Sequence, residues 1–583
     1  KILNKEFYTV NNIKIALGKE KFNKYKLFIL ANLIIFILEF FSLLSIPIFV
    51  SAIINPEYLN EKIILFSNFI NLQLEYQSSD LIKFSAILVC ASFYIKNIFL
   101  SLTIFFENRF YRNFKKETKK SFFDYYVDMP YLDHTKTNPS ELIRNTLFDV
   151  DSSASHLEQL NIIMRDILAL LVVFAIMIMI SDLNAVFTFL VFLSLFVFYL
   201  VKMRGKIRNW GQKNQKISKT LIKLFYEAFG SIKDVKVLSK EDEIKKRFDD
   251  EILVFEKNSY FFNLTRNFPK VILEVLAITI LILISLIYLA ITNNTNSLFT
   301  FLSIYAVLIV RFIPAFNSIT SAYGYLKMSS PRIENVAKQV EFITREKNKP
   351  KNISYDKFSN LYKNDYLKVD NLSYTYPTGK FKSLRNISLS IDKGSIIGIA
   401  GPTGSGKTTL FHSMLGLIFP QDGNVYFNGK SIYENNKMWR HETGLISQNI
   451  FLLDNTIKKN ISFNLTNDVE DEKRLEKVIE IAQLKEKLNK LPMGLETKVG
   501  VDGLQLSGGE RQRIAIARIL YREPNIIFMD ESTSALDEKT EENIITNLIN
   551  IYKGKTIIII THRPKTLNFC DKKFLLNNGK LEK

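Results

Sequence analysis

Residues 401–408 read Gly-Pro-Thr-Gly-Ser-Gly-Lys-Thr, and Thr409 follows. Glycines at this spacing let successive backbone N–H groups turn toward one anion, while the lysine brings a mobile cation to its far end. The chemistry is the grip of a nucleoside triphosphate. A second set of chemical groups, Asp530 and Glu531, follows the apolar run Ile526-Ile527-Phe528-Met529. The buried apolar run holds the strand rigid, and its end places two acids together at the nucleotide. A third apolar run, Thr556-Ile557-Ile558-Ile559-Ile560, ends in Thr561 and His562.

Positioning such groups takes strands that end at one place. The run Ser395-Ile396-Ile397-Gly398-Ile399-Ala400 leads straight into the glycine-rich loop, and helix-compatible sequence starts near Lys407. This strand, loop and helix order is the context in which the motif makes a phosphate site. From Tyr366 to the end, short β-rich runs alternate with helical ones, which predicts an α/β P-loop ATPase domain over 366–583. Residues 331–365 read as a linker, and residues 1–330 as a helical transmembrane domain.

The chain has 583 residues, too many for one compact core. Hydrophobic residues make up 47%, Phe alone numbers 47, and the net charge is still +19, so apolar and basic material must be segregated. A membrane helix needs about 20 predominantly apolar residues. Six stretches qualify, at roughly 27–54, 82–107, 161–180, 185–202, 269–292 and 298–322. The polar segments 111–160 and 204–268 suggest that the helices continue beyond the bilayer. Basic groups follow the second span (Arg112, Lys115, Lys116, Lys119, Lys120) and the fourth (Lys202, Arg204, Lys206, Arg208), whereas the opposite connections at 181–184 and 293–296 carry none. By the positive-inside rule the basic ends face the cytosol, and an even number of spans puts both termini there. The first thirty residues are basic and polar before the first apolar stretch, unlike a cleavable signal peptide.

Two cysteines, Cys90 and Cys570, offer no disulfide framework, and five scattered histidines form no zinc-binding spacing. The basic surface lacks the aromatic interleaving of a nucleic-acid site, so basic flanks beside anionic lipid are the expected reading.

The run Leu506-Ser507-Gly508-Gly509-Glu510, with the elements above, resembles the signature of ATP-binding-cassette (ABC) proteins. The resemblance implies ATP and Mg²⁺. It puts the triphosphate on Gly401, Pro402, Thr403, Gly404, Ser405, Gly406, Lys407, Thr408 and Thr409, with Tyr376 stacked on adenine. Mg²⁺ falls to Thr408, Gln448 and Asp530. Glu531 polarises the attacking water and His562 contacts the γ-phosphate. In this family Ser507, Gly508, Gly509 and Glu510 close over ATP held by another cassette, so one cassette per chain implies a homodimer. Six spans ahead of a cassette resemble an ABC exporter half-transporter, with coupling segments around Tyr131–Arg144 and Phe229–Lys236.

Within exporters the chain is similar to the bacterial flippases of lipid-linked oligosaccharides used in protein glycosylation, at the inner membrane. Leu59, Ile63, Phe66 and Ile70 fall at helical spacing in the loop after the first span, either as an interfacial helix or as packing against the spans. Lys96 and Arg311 lie at one depth, roughly 20 Å in at 1.5 Å per residue, and Lys270 enters the fifth span. The run Val310–Tyr323 looks like the flippases' last span. Lys96, Lys270 and Arg311 suit a pyrophosphate headgroup; alternatively, Lys96 or Arg311 pairs with Glu39, and Lys270 with Glu274. Two lysines stand where the family's arginines are expected, which weakens the assignment of the headgroup. Export of another lipid, a peptide or a drug, and an ATP-gated channel or regulator, remain as alternatives.

Overall fold

The structure is a computed structural model. It describes residues 2–54, 78–179, 183–292, 295–348 and 366–582, except 378, 380, 435, 449, 465–469, 501–505, 531–537, 552–553 and 562. Two compact units are present, one of Lys1–Met129 with His134–Lys349, the other of Pro130–Asp133 with Pro350–Lys583.

The first unit is helical. Its long helices are α1 (Ile2–Ile54), α2 (Ser78–Asp128), α3 (Val150–Met179), α4 (Leu183–Gly230), α5 (Glu241–Thr292) and α6 (Thr295–Asn348). At 1.5 Å per residue the part of α1 after Gly18, residues 19–54, runs about 54 Å, well beyond the ~30 Å of a bilayer's hydrocarbon core. Gly18, at φ 70°, breaks α1 near its start, so an initial segment turns away from the spanning part. Among the described residues, Asn11–Ile53, Ser79–Asp128 and Pro139–Ile176 are long and apolar enough to cross a membrane. The other three expected spans fall on the described helices α4, α5 and α6. The outward face of α2 exposes Phe84, Ile87, Tyr94, Ile98 and Phe105, as a lipid-facing helix does.

Residues 331–348, expected to begin the linker, are the last turns of α6. Ile333, Val336, Ala337 and Ile343 recur at helical spacing and are buried against Tyr111, Phe114 and Leu157 of the same unit, which holds this stretch in the bundle. Several buried polar groups in the unit are bonded in pairs and chains. Asn32 donates to Asn161 (2.7 Å), Asn161 donates to Glu107 (2.5 Å), and Tyr25 donates to the Leu157 carbonyl (3.0 Å). The structure replaces one turn before α3 with a π-helix, Arg144–Asp149, whose ends pair with each other at 3.5 Å.

The second unit is α/β. Strands β1 (Leu367–Tyr374), β2 (Leu384–Ile391), β3 (Ile396–Ala400), β4 (Asp422–Phe427), β5 (Lys430–Ser431), β6 (Thr443–Ile446), β7 (Ile526–Asp530), β8 (Thr556–Ile560), β9 (Lys572–Asn577) and β10 (Lys580–Glu582) form two sheets. One is antiparallel in the order β2-β1-β4-β5; the other runs β10-β9-β3-β8-β7-β6 and is parallel except for β10. Every residue of β8 is buried, as expected of a parallel strand covered on both faces. Helix α7 (Lys407–Met414) follows β3, and α8 (Gly508–Tyr521) precedes β7. Two apolar cores result. The first joins the antiparallel sheet, β3 and α7 through Leu410, Phe411 and Phe528; the second gathers α8 and its neighbouring helices around Ile514, Ile516, Leu520 and Ile544.

Candidate functional site

In the parallel sheet the neighbours β3, β8, β7 and β6 all point the same way, with Ile399 opposite Ile560, Asp530 opposite Ile560, and Met529 opposite Ile446. Their carboxyl ends therefore deliver the glycine-rich loop, Thr561, Asp530 and residues 447–448 to one edge. Four strands at about 4.8 Å spacing make that edge about 14 Å wide, enough for a triphosphate with its ion and water. Binding at the carboxyl edge is the general rule for such sheets.

The loop is fixed by close backbone approach. A Cβ on Gly401 (φ +151°) would lie 2.1 Å from the Leu576 carbonyl oxygen, and one on Gly406 (φ +105°) 2.5 Å from that of Ser383. The Gly579 N–H donates to the Ser405 carbonyl at 3.0 Å, locking the loop to the turn before β10. Pro402, Thr403 and Gly404 are exposed at its rim. Lys407 opens α7; its ammonium lies back across the loop and donates to the carbonyls of Gly401 (2.8 Å) and Pro402 (3.0 Å). Among the described residues it has no carboxylate partner. The buried Ser405 hydroxyl also lacks a partner. A glycine cradle, a buried cation held only by carbonyls and an orphaned hydroxyl together fit a triphosphate. Thr408, the second residue of α7, is exposed.

Tyr376 packs at the edge of the first core. Its ring meets Tyr374 edge-on at 5.0 Å, and its hydroxyl lies 3.3 Å from that of the buried Thr409. An aromatic ring is thereby tied to the third residue of α7. Gln448 is exposed two residues beyond β6. Glu531 and His562 lie outside the described residues.

The signature is built on the other core. Ser507 caps α8, accepting from the Glu510 N–H at 3.3 Å, and Glu510 accepts from the Ser507 N–H at 2.9 Å. This reciprocal capping box orders the first turn, where Gly508 and Gly509 stand. Burial pushes the Glu510 carboxyl up, but Lys487 at 2.8 Å and the Ser507 amide outweigh it, and the group sits below the ordinary range. Sequence reasoning missed Arg518, which leaves α8 to donate to the carbonyls of Asn460 (2.8 Å) and Phe451 (3.0 Å). It ties the signature helix to the segment that follows Gln448. No local spacing marks such a contact, since its partners lie 58 and 67 residues away. The second unit also includes Pro130–Asp133: Tyr131 meets the His412 ring edge-on at 5.4 Å, and Leu132 packs on the first core.

The three cations expected to meet substrate are held differently. Arg311 of α6 is ion-paired through Nε with Glu39 of α1, a residue only 2% exposed. Lys96 of α2 is buried, with its ammonium 5.2 Å from the Phe93 ring centroid. Asp166 of α3, which the sequence reading had not singled out, is buried within electrostatic reach of both Arg311 and Glu39, and the same two charges act on Lys96. Two acids and two bases from four helices thus form one cluster. Lys270 is exposed on α5, without an ion pair to Glu274.

An α/β unit with a cradle fit for a triphosphate at its sheet edge, and a unit of long helices, together have the fold of an ABC exporter. Residues 384–534 match the family profile described as ABC transporter. Across 96% of this chain and 94% of the other, the fold matches a solved bacterial Atm1-family ABC exporter with ATP bound (TM-score 0.73, 18% identity). Curated relatives include the probable multidrug resistance ABC transporter ATP-binding/permease protein YheI of Bacillus subtilis (40% identical over 209 residues, 36% of this chain and 35% of that protein). The ATP-dependent lipid A-core flippase of Photorhabdus laumondii is 35% identical over 217 residues, 37% of each chain. That of Burkholderia pseudomallei is 26% identical over 384 residues, 65% of this chain and 63% of the flippase. The chain thus spans about a third of the length of the first two relatives it matches.

Proposed function

We propose that two copies of this chain form an ATP-driven exporter that flips an amphipathic lipid, of the polyprenyl-pyrophosphate oligosaccharide class, across a bacterial inner membrane. The observation that carries the ATP-driven part is the split between the cores. The phosphate loop is built on one core and the signature on the other, so a second copy's Ser507, Gly508 and Gly509 are available to cover the first copy's loop. In this reading Lys407 leaves the loop carbonyls for the terminal phosphates, where a fixed cation favours developing charge. Thr408, Gln448 and Asp530 would hold Mg²⁺, which neutralises phosphate charge when bound. Glu531 orients and polarises the water, His562 contacts the γ-phosphate, and Tyr376 offers its ring to adenine. The relatives named as lipid A-core flippases and the apolar outer face of α2 support a lipid cargo.

A second reading, export of a different amphiphile, is favoured by the Arg311–Glu39 pair. A cation already matched by a buried acid is a poor ligand for pyrophosphate, which leaves Lys96 and Lys270 to supply the attraction. ATPase activity of the full chain in proteoliposomes, with polyprenyl-pyrophosphate glycans, lipid A-type lipids and cationic drugs compared side by side, tests both. Stimulation by the glycan lipid alone supports the first reading, whereas stimulation only by another amphiphile replaces it with the second.

A further inference from the structure

Beyond the apolar stretch at 185–202, α4 carries eight cations and no acid from Lys202 to Tyr226. Met203, Lys206, Trp210 and Lys213 share one face of it at helical spacing. With Phe261 and Thr265 of α5 they line a groove of about 510 Å³ that contains no acidic side chain. Trp210 and Phe261 stack across the groove, with ring centroids 6.0 Å apart and planes 18° from parallel. Lys206 and Lys213 are exposed on either side of this aromatic floor. Farther out, Lys219, Lys223 and Lys236 each have a carboxylate partner; Lys206 and Lys213 have none among the described residues.

Helical side chains lean toward the helix N-terminus, which for α4 is the direction of its apolar stretch. The two ammonium groups and the Trp ring therefore tilt toward the level where lipid headgroups lie, the depth at which Trp and basic residues anchor membrane proteins. An apolar floor between two unmatched cations fits an amphiphile that is anionic at its head and apolar just below it.

We propose that this groove holds a resident anionic phospholipid, its phosphate between Lys206 and Lys213 and its glycerol and first acyl carbons against Met203, Trp210 and Phe261. The site is separate from Lys96 and Arg311 and is not a cargo site. It rests on the membrane placement of α4 in the proposed function.

The chain has two tryptophans, and the other, Trp439, is buried in the second unit, so it contributes a constant background. Tryptophan emission of the full-length protein in phosphatidylcholine nanodiscs should be followed as brominated phosphatidylglycerol or brominated phosphatidylcholine is added. Basic groups near an anionic leaflet each add attraction, so half-maximal quenching is expected at about tenfold lower mole fraction of the brominated phosphatidylglycerol. Lys206→Gln with Lys213→Gln should erase that difference while quenching by brominated phosphatidylcholine persists. Lys219→Gln with Lys223→Gln should leave the difference intact. Equal quenching by the two lipids in the unaltered protein, or a preference that survives in the Lys206/Lys213 variant, overturns the phospholipid site and leaves the exporter reading standing. Quenching by neither removes Trp210 from the bilayer surface and overturns both the site and the membrane placement of α4.

Discussion

At the nucleotide edge and inside the helical unit, two cations are compensated in opposite ways. Lys407 rests on two carbonyl dipoles, which satisfy two of its three N–H groups and leave its full charge for an incoming anion. Arg311 rests on Glu39, which cancels the charge. Drawing Lys407 away exposes two carbonyls that water or a ligand can satisfy, but drawing Arg311 away strands a carboxylate that is almost wholly buried. The first arrangement is a poised binding group. The second is a structural joint between α1 and α6, unless an anion from outside displaces the acid.

The largest effect is expected at the nucleotide edge. Lys407→Ala should abolish measurable ATP binding, and Glu531→Gln should retain binding but lower turnover by about 100-fold or more, the range for loss of a positioned base. Nucleotide binding and single-turnover hydrolysis check both; wild-type turnover in the Gln variant would remove Glu531 from its assigned role.

The charged cluster gives the next largest effect. Arg311→Gln should lower stability by about 3 kcal/mol, as expected when one partner of a buried pair is lost, and Glu39→Gln in the same chain should restore most of it. Thermal unfolding and lipid flipping are measured together on the two variants. Recovery of both makes the pair structural; recovery of stability without flipping returns Arg311 to the cargo.

A smaller effect is expected in the loop after α1, which lies outside the described residues. Replacing Ile63, Phe66 and Ile70 with Ser should reduce lipid-stimulated ATPase several-fold and leave the basal rate unchanged. A matching fall in basal rate and yield would mean that these residues pack against the spans instead.

The smallest effect concerns His412 at the end of α7. Burial holds this imidazole below its ordinary value of 6.5, so the unfolded chain takes up a proton first as pH falls. Its contribution to stability is complete above about pH 6.5 and is lost progressively below it. His412→Gln should flatten that part of the stability profile, read as the melting temperature between pH 7.5 and 5.5; an unchanged slope would assign the dependence to other groups.

Much of this molecule was legible in local sequence. The phosphate loop, Asp530, the signature and the α/β alternation are short-range patterns, because backbone wrapping of a phosphate and capping of a helix are decided within a few residues. Three of the six expected spans, on α1, α2 and α3, are long and apolar enough among the described residues to cross a membrane, legible because bilayer thickness sets their length. Tertiary structure decided the rest. The last turns of α6 belong to the bundle because Ile333, Val336 and Ala337 find buried partners on other helices. Asp166 joins Arg311 and Glu39, and Arg518 reaches Phe451, only after distant segments are packed together. The sequence placed Lys96, Lys270 and Arg311 in apolar surroundings, but it could not say which of them would be neutralised. That depends on which acid faces each cation across a helix interface, a matter of helix rotation and packing that no spacing along the chain records.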